Sequence, residues 1–265
     1  MADTQARVAL ITGGAGAIGM ATARRLARAG FLPVLADRDG AALDAGTAAL
    51  GEETGLPVAG ILADLADRAA PALVMDRIET EHGRLDCLVN NAGLSKARRI
   101  GEVELADWDA VMAVNLTAPM LLAQESLRFW KRQRAGSIVN LASRVWLSGA
   151  GPAYTASKAG LVGLTRSLAV QLGPLGVTVN AVAPSYLATG FNFGGNEDAR
   201  QRAAAQHIAL GVLDRLATPE DVAGAIAFLA SDDARFVTGE VIHVCGGAQL
   251  AGRPGDPAVT DGSAV

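Results

Sequence analysis

The run RVALITGGAGAIG, Arg7 to Gly19, joins a short apolar strand to a turn made almost wholly of glycine and alanine. From Ile18 to Ala29, alanine, leucine and arginine recur at helical spacing until Gly30 stops them. In a strand, glycine turn and helix of this kind, free backbone N–H groups and the positive end of a helix dipole face a pyrophosphate, and small side chains let the anion reach the main chain. A glycine-rich turn alone is weak evidence, and its place between strand and helix gives it weight. A second apolar strand, Phe31 to Ala36, ends at Asp37, 18 residues beyond Gly19. A carboxylate there accepts hydrogen bonds from both ribose hydroxyls and repels a 2′-phosphate, favouring NAD over NADP. The neighbouring Arg38 is the feature that would tolerate that phosphate.

The same alternation continues outward. Strands are expected at Pro57 to Ala63 (ending at Asp64), Leu85 to Asn90, Ser137 to Ala142, Val177 to Val182 and Glu240 to Val244. Helices are expected at Ala66 to His82, within Trp108 to Trp130 with a start near Asn115, at Tyr154 to Leu172 and at Pro219 to Ala230. The pattern implies an α/β fold: a single-domain, doubly wound Rossmann fold whose seven-stranded parallel sheet carries helices on both faces. Residues 1–251 form the expected dinucleotide-binding catalytic domain, with a substrate lid at about 186–212 around the Gly- and Asn-rich segment Ala188 to Asn196. The composition changes at Gly252, and 252–265 reads as a flexible tail.

Bulk properties narrow the function. Of 265 residues, 50% are apolar and 19% charged, enough to bury a full core. A net charge of −4 argues against a general nucleic-acid binder. Cys87 and Cys245 lie in apolar, strand-like contexts with no metal-ligand spacing and read as buried thiols. No basic region followed by an apolar run opens the sequence, and no apolar run reaches membrane-spanning length, so the expectation is a soluble cytoplasmic protein.

The chemistry concentrates in SRVWLSGAGPAYTASK, Ser143 to Lys158. Tyr154 and Lys158 are four residues apart, one above the other on a helix face. An ammonium about 4 Å from a phenol is worth roughly 4 kcal/mol at an effective dielectric near 20, which predicts a lowered Tyr154 pKa and a tyrosine able to exchange a proton with an alcohol. A nearby serine hydroxyl can hold the substrate oxygen. Tyr-x-x-x-Lys alone is a weak signal, and its force comes from the rest of the chain.

Taken together, these motifs resemble the short-chain dehydrogenase/reductase family from Arg7 to Gly247. Thr12 to Gly19 resembles its glycine-rich TGxxxGxG turn (Gly13, Ala15, Gly16, Ala17, Ile18, Gly19), with Ala17 where the middle glycine is usual. Asp64-Leu65 resembles the pair that contacts adenine, and Asn90-Asn91-Ala92-Gly93 the motif that lines the cofactor. Asn115, Ser143, Tyr154 and Lys158 match the catalytic positions; Pro184 to Thr189, including Leu187, resembles the segment that contacts the nicotinamide, with Ser185 for the usual glycine. Arg215 to Val222 and Val237 to Gly247 resemble the closing segments. Ser143 precedes Tyr154 by 11 residues, about two fewer than is common, so the resemblance leaves open a tilted Ser143 or a reshaped pocket, with Ser148 as a fallback.

The resemblance implies hydride transfer between nicotinamide and a carbinol carbon, with Tyr154 as general acid/base, Lys158 tuning it and binding the nicotinamide ribose, Ser143 holding the substrate oxygen, and Asn115 holding a relay water. It also implies a homotetramer. Arg144, Val145, Trp146, Leu94, Ser95, Tyr186, Phe191 and Phe193 are the expected pocket, and its aromatics suggest a secondary alcohol or ketone, cyclic or aryl-substituted. Two alternatives stay open. One is an NADPH-dependent 3-oxoacyl-carrier-protein reductase, docking its acidic partner on Arg128, Lys131, Arg132 and Arg134, although basic residues also suit a helix C-terminus. The other is a catalytically silent NAD-binding sensor or scaffold.

Overall fold

A computed structural model of the protein describes residues 6–96, 98–189 and 197–250. Seven strands, β1 (Arg7–Thr12), β2 (Phe31–Asp37), β3 (Ala59–Leu62), β4 (Cys87–Asn90), β5 (Gly136–Leu141), β6 (Val177–Pro184) and β7 (Val241–Val244), form one sheet in the order β3-β2-β1-β4-β5-β6-β7. Every neighbouring pair is parallel. The order reverses between β1 and β4, and a crevice opens at the carboxyl ends of strands at such a switch point.

Burial on both faces follows from the strand period of two. Val8 and Leu10 of β1 pack with α3 (Ala70–His82), α5 (Ala118–Gln133) and α7 (Pro152–Leu172) through Met75, Ile78, Phe129, Trp130 and Leu172. Ala9 and Ile11 face the other way, onto α1 (Ala17–Arg28), α2 (Gly40–Thr54) and α9 (Pro219–Leu229) through Leu26, Leu50, Val222 and Ile226. The remaining helices are α4 (Leu105–Met112), α6 (Val145–Ser148) and α8 (Glu197–Leu210). Cys87 is fully buried in β4, and burial pushes its thiol up to about 12. Among the described residues, no helix is long and apolar enough to cross a membrane.

Three local features differ from the sequence reading. Helix α2 has only Leu43 and Leu50 buried, too sparse a stripe to show as periodicity. Its ends carry the signal instead: the Asp39 side chain accepts from Ala42 N at 3.1 Å, and Gly55 closes the helix at φ 68°. The helix expected to start near Asn115 starts at Leu105 and is interrupted by one π turn, Ala113–Thr117. Pro119 has no N–H to give the Asn115 carbonyl four residues back, so an α-helical register fails there. Finally, α7 begins at Pro152 rather than Tyr154, which puts Tyr154 in its first turn. The tail 252–265 lies outside the described residues.

Candidate active site

At the β1–β4 crevice, the main chain between β1 and α1 comes within contact distance of the end of β4. Gly13 adopts φ +60°, and a Cβ there would sit 2.9 Å from Ala92 Cα. A Cβ on Gly19 would meet the Gly13 carbonyl at 2.3 Å, so Gly19 lets the turn close onto α1. Gly16 caps α1 without any side-chain hydrogen bond, leaving the first N–H groups free. The turn is braced from beneath: Asn91 Nδ2 donates to the Thr12 and Gly13 carbonyls at 2.9 Å each, and Thr12 Oγ1 accepts from Asn91 N and Ala92 N at 3.1 and 3.0 Å. Asp37 Oδ2 accepts from Ala15 N at 3.1 Å, so this carboxylate shapes the turn as well as facing the cavity.

One cavity of about 610 Å³ runs along the crevice. Its wall includes Gly13, Gly16, Ala17, Ile18, Asp37, Arg38, Asp64, Leu65, Asn91, Ala92 and Gly93 toward β1–β3, and Ser143, Val145, Tyr154, Lys158, Pro184, Tyr186, Leu187 and Thr189 toward β5–β6. Ala15 and Gly19 stand behind it. A backbone-only cradle at a free helix N-terminus, a carboxylate at the end of β2 and a long crevice suit a dinucleotide.

Ser143, Tyr154 and Lys158 meet at the β5–β6 end. The short Ser143-to-Tyr154 span folds as the single turn α6 followed by Gly149 at φ 78°, and it still brings the Ser143 hydroxyl into a hydrogen bond with Tyr154. The fallback Ser148 is exposed at the end of α6. Lys158, only 3% exposed, donates to the Leu141 carbonyl at 2.6 Å, and its ammonium lies 5.6 Å from the Tyr154 ring centroid. The expected lowering of the Tyr154 pKa is therefore not what the protein alone produces. Burial raises the phenol, with the Ser143 hydrogen bond opposing, while burial lowers Lys158 to about 8. Desolvation of both groups outweighs an attraction weakened by distance.

Asn115 lies in the π turn between α4 and α5. It is 1% exposed and does not line the cavity. Its Oδ1 accepts from Leu94 N at 2.8 Å, and its Nδ2 donates to Leu94 O at 2.9 Å and Ser157 Oγ at 3.0 Å. The side chain clamps the β4 exit to α7.

Of the expected pocket residues, Val145 and Tyr186 line the cavity, whereas Trp146 does not. Its indole packs near Ala142, Val162, Ala181 and Ala183, and its Nε1 donates to His243 Nε2 at 3.2 Å. Trp146 is drawn there because a buried indole N–H needs an acceptor and β7 supplies one. Phe191 and Phe193 lie outside the described residues. The sequence reading missed His207, which lines the cavity from α8 and stacks on Tyr186 with centroids 4.7 Å apart. One of three histidines, within the expected lid of about 186–212, was the available signal.

A parallel sheet with this switch point, a glycine cradle and a Ser–Tyr–Lys group define a nicotinamide-dinucleotide oxidoreductase class of protein. A family model described as Enoyl-(Acyl carrier protein) reductase matches residues 13–249. A (hydroxy(phenyl)methyl)succinyl-CoA dehydrogenase subunit of Thauera aromatica is 40% identical over 247 residues, covering 93% of this chain and 98% of that protein. A 3-oxoacyl-acyl-carrier-protein reductase of Aquifex aeolicus is 38% identical over 245 residues, covering 92% and 97%. Among solved structures, levodione reductase superposes with a TM-score of 0.88 at 33% identity, covering 94% of this chain and 99% of that one. NAD+-bound xylitol dehydrogenase superposes with 0.83 at 29%, covering 92% and 100%. The chain belongs to the short-chain dehydrogenase/reductase family and is an oxidoreductase of that family, whose members use a nicotinamide cofactor.

Proposed function

We propose that this protein interconverts a secondary alcohol and a ketone with NAD, using Tyr154 as general acid/base. The observation that carries this is the convergence of Ser143, Tyr154 and Lys158 at one end of the cavity whose other end holds the glycine cradle. Gly13, Gly16, Ala17 and Ile18 would hold the pyrophosphate, Asp37 the adenosine ribose, Asp64 and Leu65 the adenine, and Pro184, Leu187 and Thr189 the nicotinamide end. Nicotinamide supplies the hydride acceptor when bound. In the oxidation direction the alcohol oxygen rests against Ser143 Oγ and its proton passes to the Tyr154 oxygen, while Lys158 supplies the positive charge that makes a phenolate tolerable in a buried site. Reduction reverses the proton path.

NAD is favoured over NADP because the Asp37 carboxylate, at the end of β2 and lining the cavity, would repel a 2′-phosphate. The carrier-protein alternative draws less support from the surface. Arg128 is paired with Asp76 and Glu125, and Arg132 with Glu79, so two of the four cations of the expected basic dock already have carboxylate partners. The test follows reduced-nicotinamide absorbance with NAD and NADP over cyclic, aryl and 3-hydroxyacyl alcohols, with Tyr154→Phe alongside. NAD-linked turnover that drops about 10²–10⁴-fold in Tyr154→Phe is expected. Turnover confined to NADP and 3-hydroxyacyl thioesters would instead establish the carrier-protein reading, and NAD binding without any turnover would leave the silent binder.

A further inference from the structure

Two polar side chains at the substrate end of the cavity have buried nitrogens with no hydrogen-bond partner among the described residues. Arg144 follows Ser143 directly. Its backbone is pinned, with N donating to Pro184 O at 2.9 Å and its carbonyl accepting from Leu147 N at 3.0 Å. Its side chain lines the cavity, yet Nε is buried without an acceptor. Several other guanidinium groups of limited exposure have carboxylates, among them Arg84 on Asp86 and Arg128 on Asp76. Among the described residues Arg144 has none. His207 enters from α8, its ring held flat against Tyr186 at 10°, and its Nδ1 is likewise buried without a partner. Burial and then the Arg144 charge hold the His207 pKa below its ordinary value, so at neutral pH it is an uncharged imidazole with one N–H.

We infer that the substrate of this site carries a carboxylate, which Arg144 and His207 bind while the carbinol meets Tyr154 and Ser143. This rests on the alcohol dehydrogenase reading above. A planar guanidinium matches a carboxylate fork, and a neutral imidazole adds one donor without adding a second cation. The wall around them mixes the apolar Val145, Leu94 and Leu187 with the hydroxyls of Ser95, Ser143 and Ser185, and among the described residues its only carboxylates, Asp37 and Asp64, are those of the β2–β3 end, so a neutral ligand leaves the guanidinium without a counter-charge. The cofactor's own phosphates do not answer this need, because their cradle lies across the β1–β4 switch point, at the N-terminus of α1. A hydroxy acid with a cyclic or aryl body between its carbinol and its carboxylate fits both demands.

The test measures binding rather than turnover. The enzyme–NADH complex is titrated calorimetrically with benzoate, cyclohexanecarboxylate and 4-phenylbutyrate, each against its matching amide. The wild type is expected to bind at least one acid about tenfold or more tighter than its amide, as a charge-assisted hydrogen bond predicts. Arg144→Met should erase that preference and His207→Phe should shrink it, with NADH affinity unchanged in both as the control for folding. Equal binding of acid and amide in every pair would overturn the inference, as would a preference that survives Arg144→Met. Loss of NADH affinity in Arg144→Met would overturn it too, by assigning the arginine to the cofactor. A wild type that binds neither NADH nor NADPH is a distinguishable failure: it removes the dehydrogenase reading itself, and this inference with it.

Discussion

Around the glycine turn the cavity wall is mostly main chain, and its approach to the end of β4 is braced by part-buried hydrogen bonds that Asn91 Nδ2 donates and Thr12 Oγ1 accepts. Beyond Ser143 the wall is side chain, carried by the single turn α6, the exit of β6 and helix α8, and two of its nitrogens have no partner among the described residues. The first end would present peptide N–H groups to the nicotinamide cofactor that the family uses, so its geometry tolerates little change and its sequence is recognisable. The second end presents guanidinium, imidazole and phenol groups whose identity can vary without disturbing the sheet. Generic recognition is built into the backbone here, and selectivity into side chains added around it.

The largest expected effect lies where the two ends meet. Lys158→Met should lower turnover by about 10²–10⁴-fold, with NADH absorbance as the readout. The same variant tests the electrostatics. The folded-state pKa of Lys158 is lowered from 10.5 to about 8, so between those values the unfolded chain binds more protons than the folded one. Stability therefore rises with pH across that window, and below it the full burial penalty is present. Without cofactor, wild type should gain about 2 kcal/mol of unfolding free energy relative to Lys158→Met between pH 7 and pH 10, measured by urea denaturation. A flat difference would mean that Lys158 is not desolvated.

Gly19→Val probes the braced end. Its side chain has no room before the Gly13 carbonyl, so the turn must move, and NADH affinity should fall roughly 10–100-fold in a fluorescence titration, equivalent to about 1–3 kcal/mol of overpacking. Asp37→Ser sharpens the contrast, because it changes a side chain within the backbone cradle. The ratio of NADP to NAD efficiency should rise about tenfold or more, while a turn weakened at Ala15 N lowers both values somewhat. The smallest effect is expected at Trp146→Phe. Loss of its bond to His243 should cost about 1 kcal/mol of stability, with steady-state constants changed less than about twofold, since the indole does not line the cavity. A large change in KM there would return Trp146 to the substrate pocket.

Local pattern carried much of this protein. Apolar runs, Gly13 to Gly19, Asp37, Asn90 to Gly93 and the Tyr154–Lys158 spacing are each properties of a few adjacent residues, and backbone sterics and strand or helix period translate them directly into an α/β sheet with a dinucleotide crevice and a Ser–Tyr–Lys group. The tertiary structure decided what depends on distant neighbours. It placed Lys158 under the Leu141 carbonyl and made burial, rather than the neighbouring charge, set the Tyr154 pKa. It turned Asn115 inward to Leu94 and Ser157, paired Trp146 with His243 97 residues away, and brought His207 of α8 to the same cavity as Arg144. Desolvation, and the partner a buried polar atom finds, are properties of the packed whole, because burial at any one position is created by chain from elsewhere.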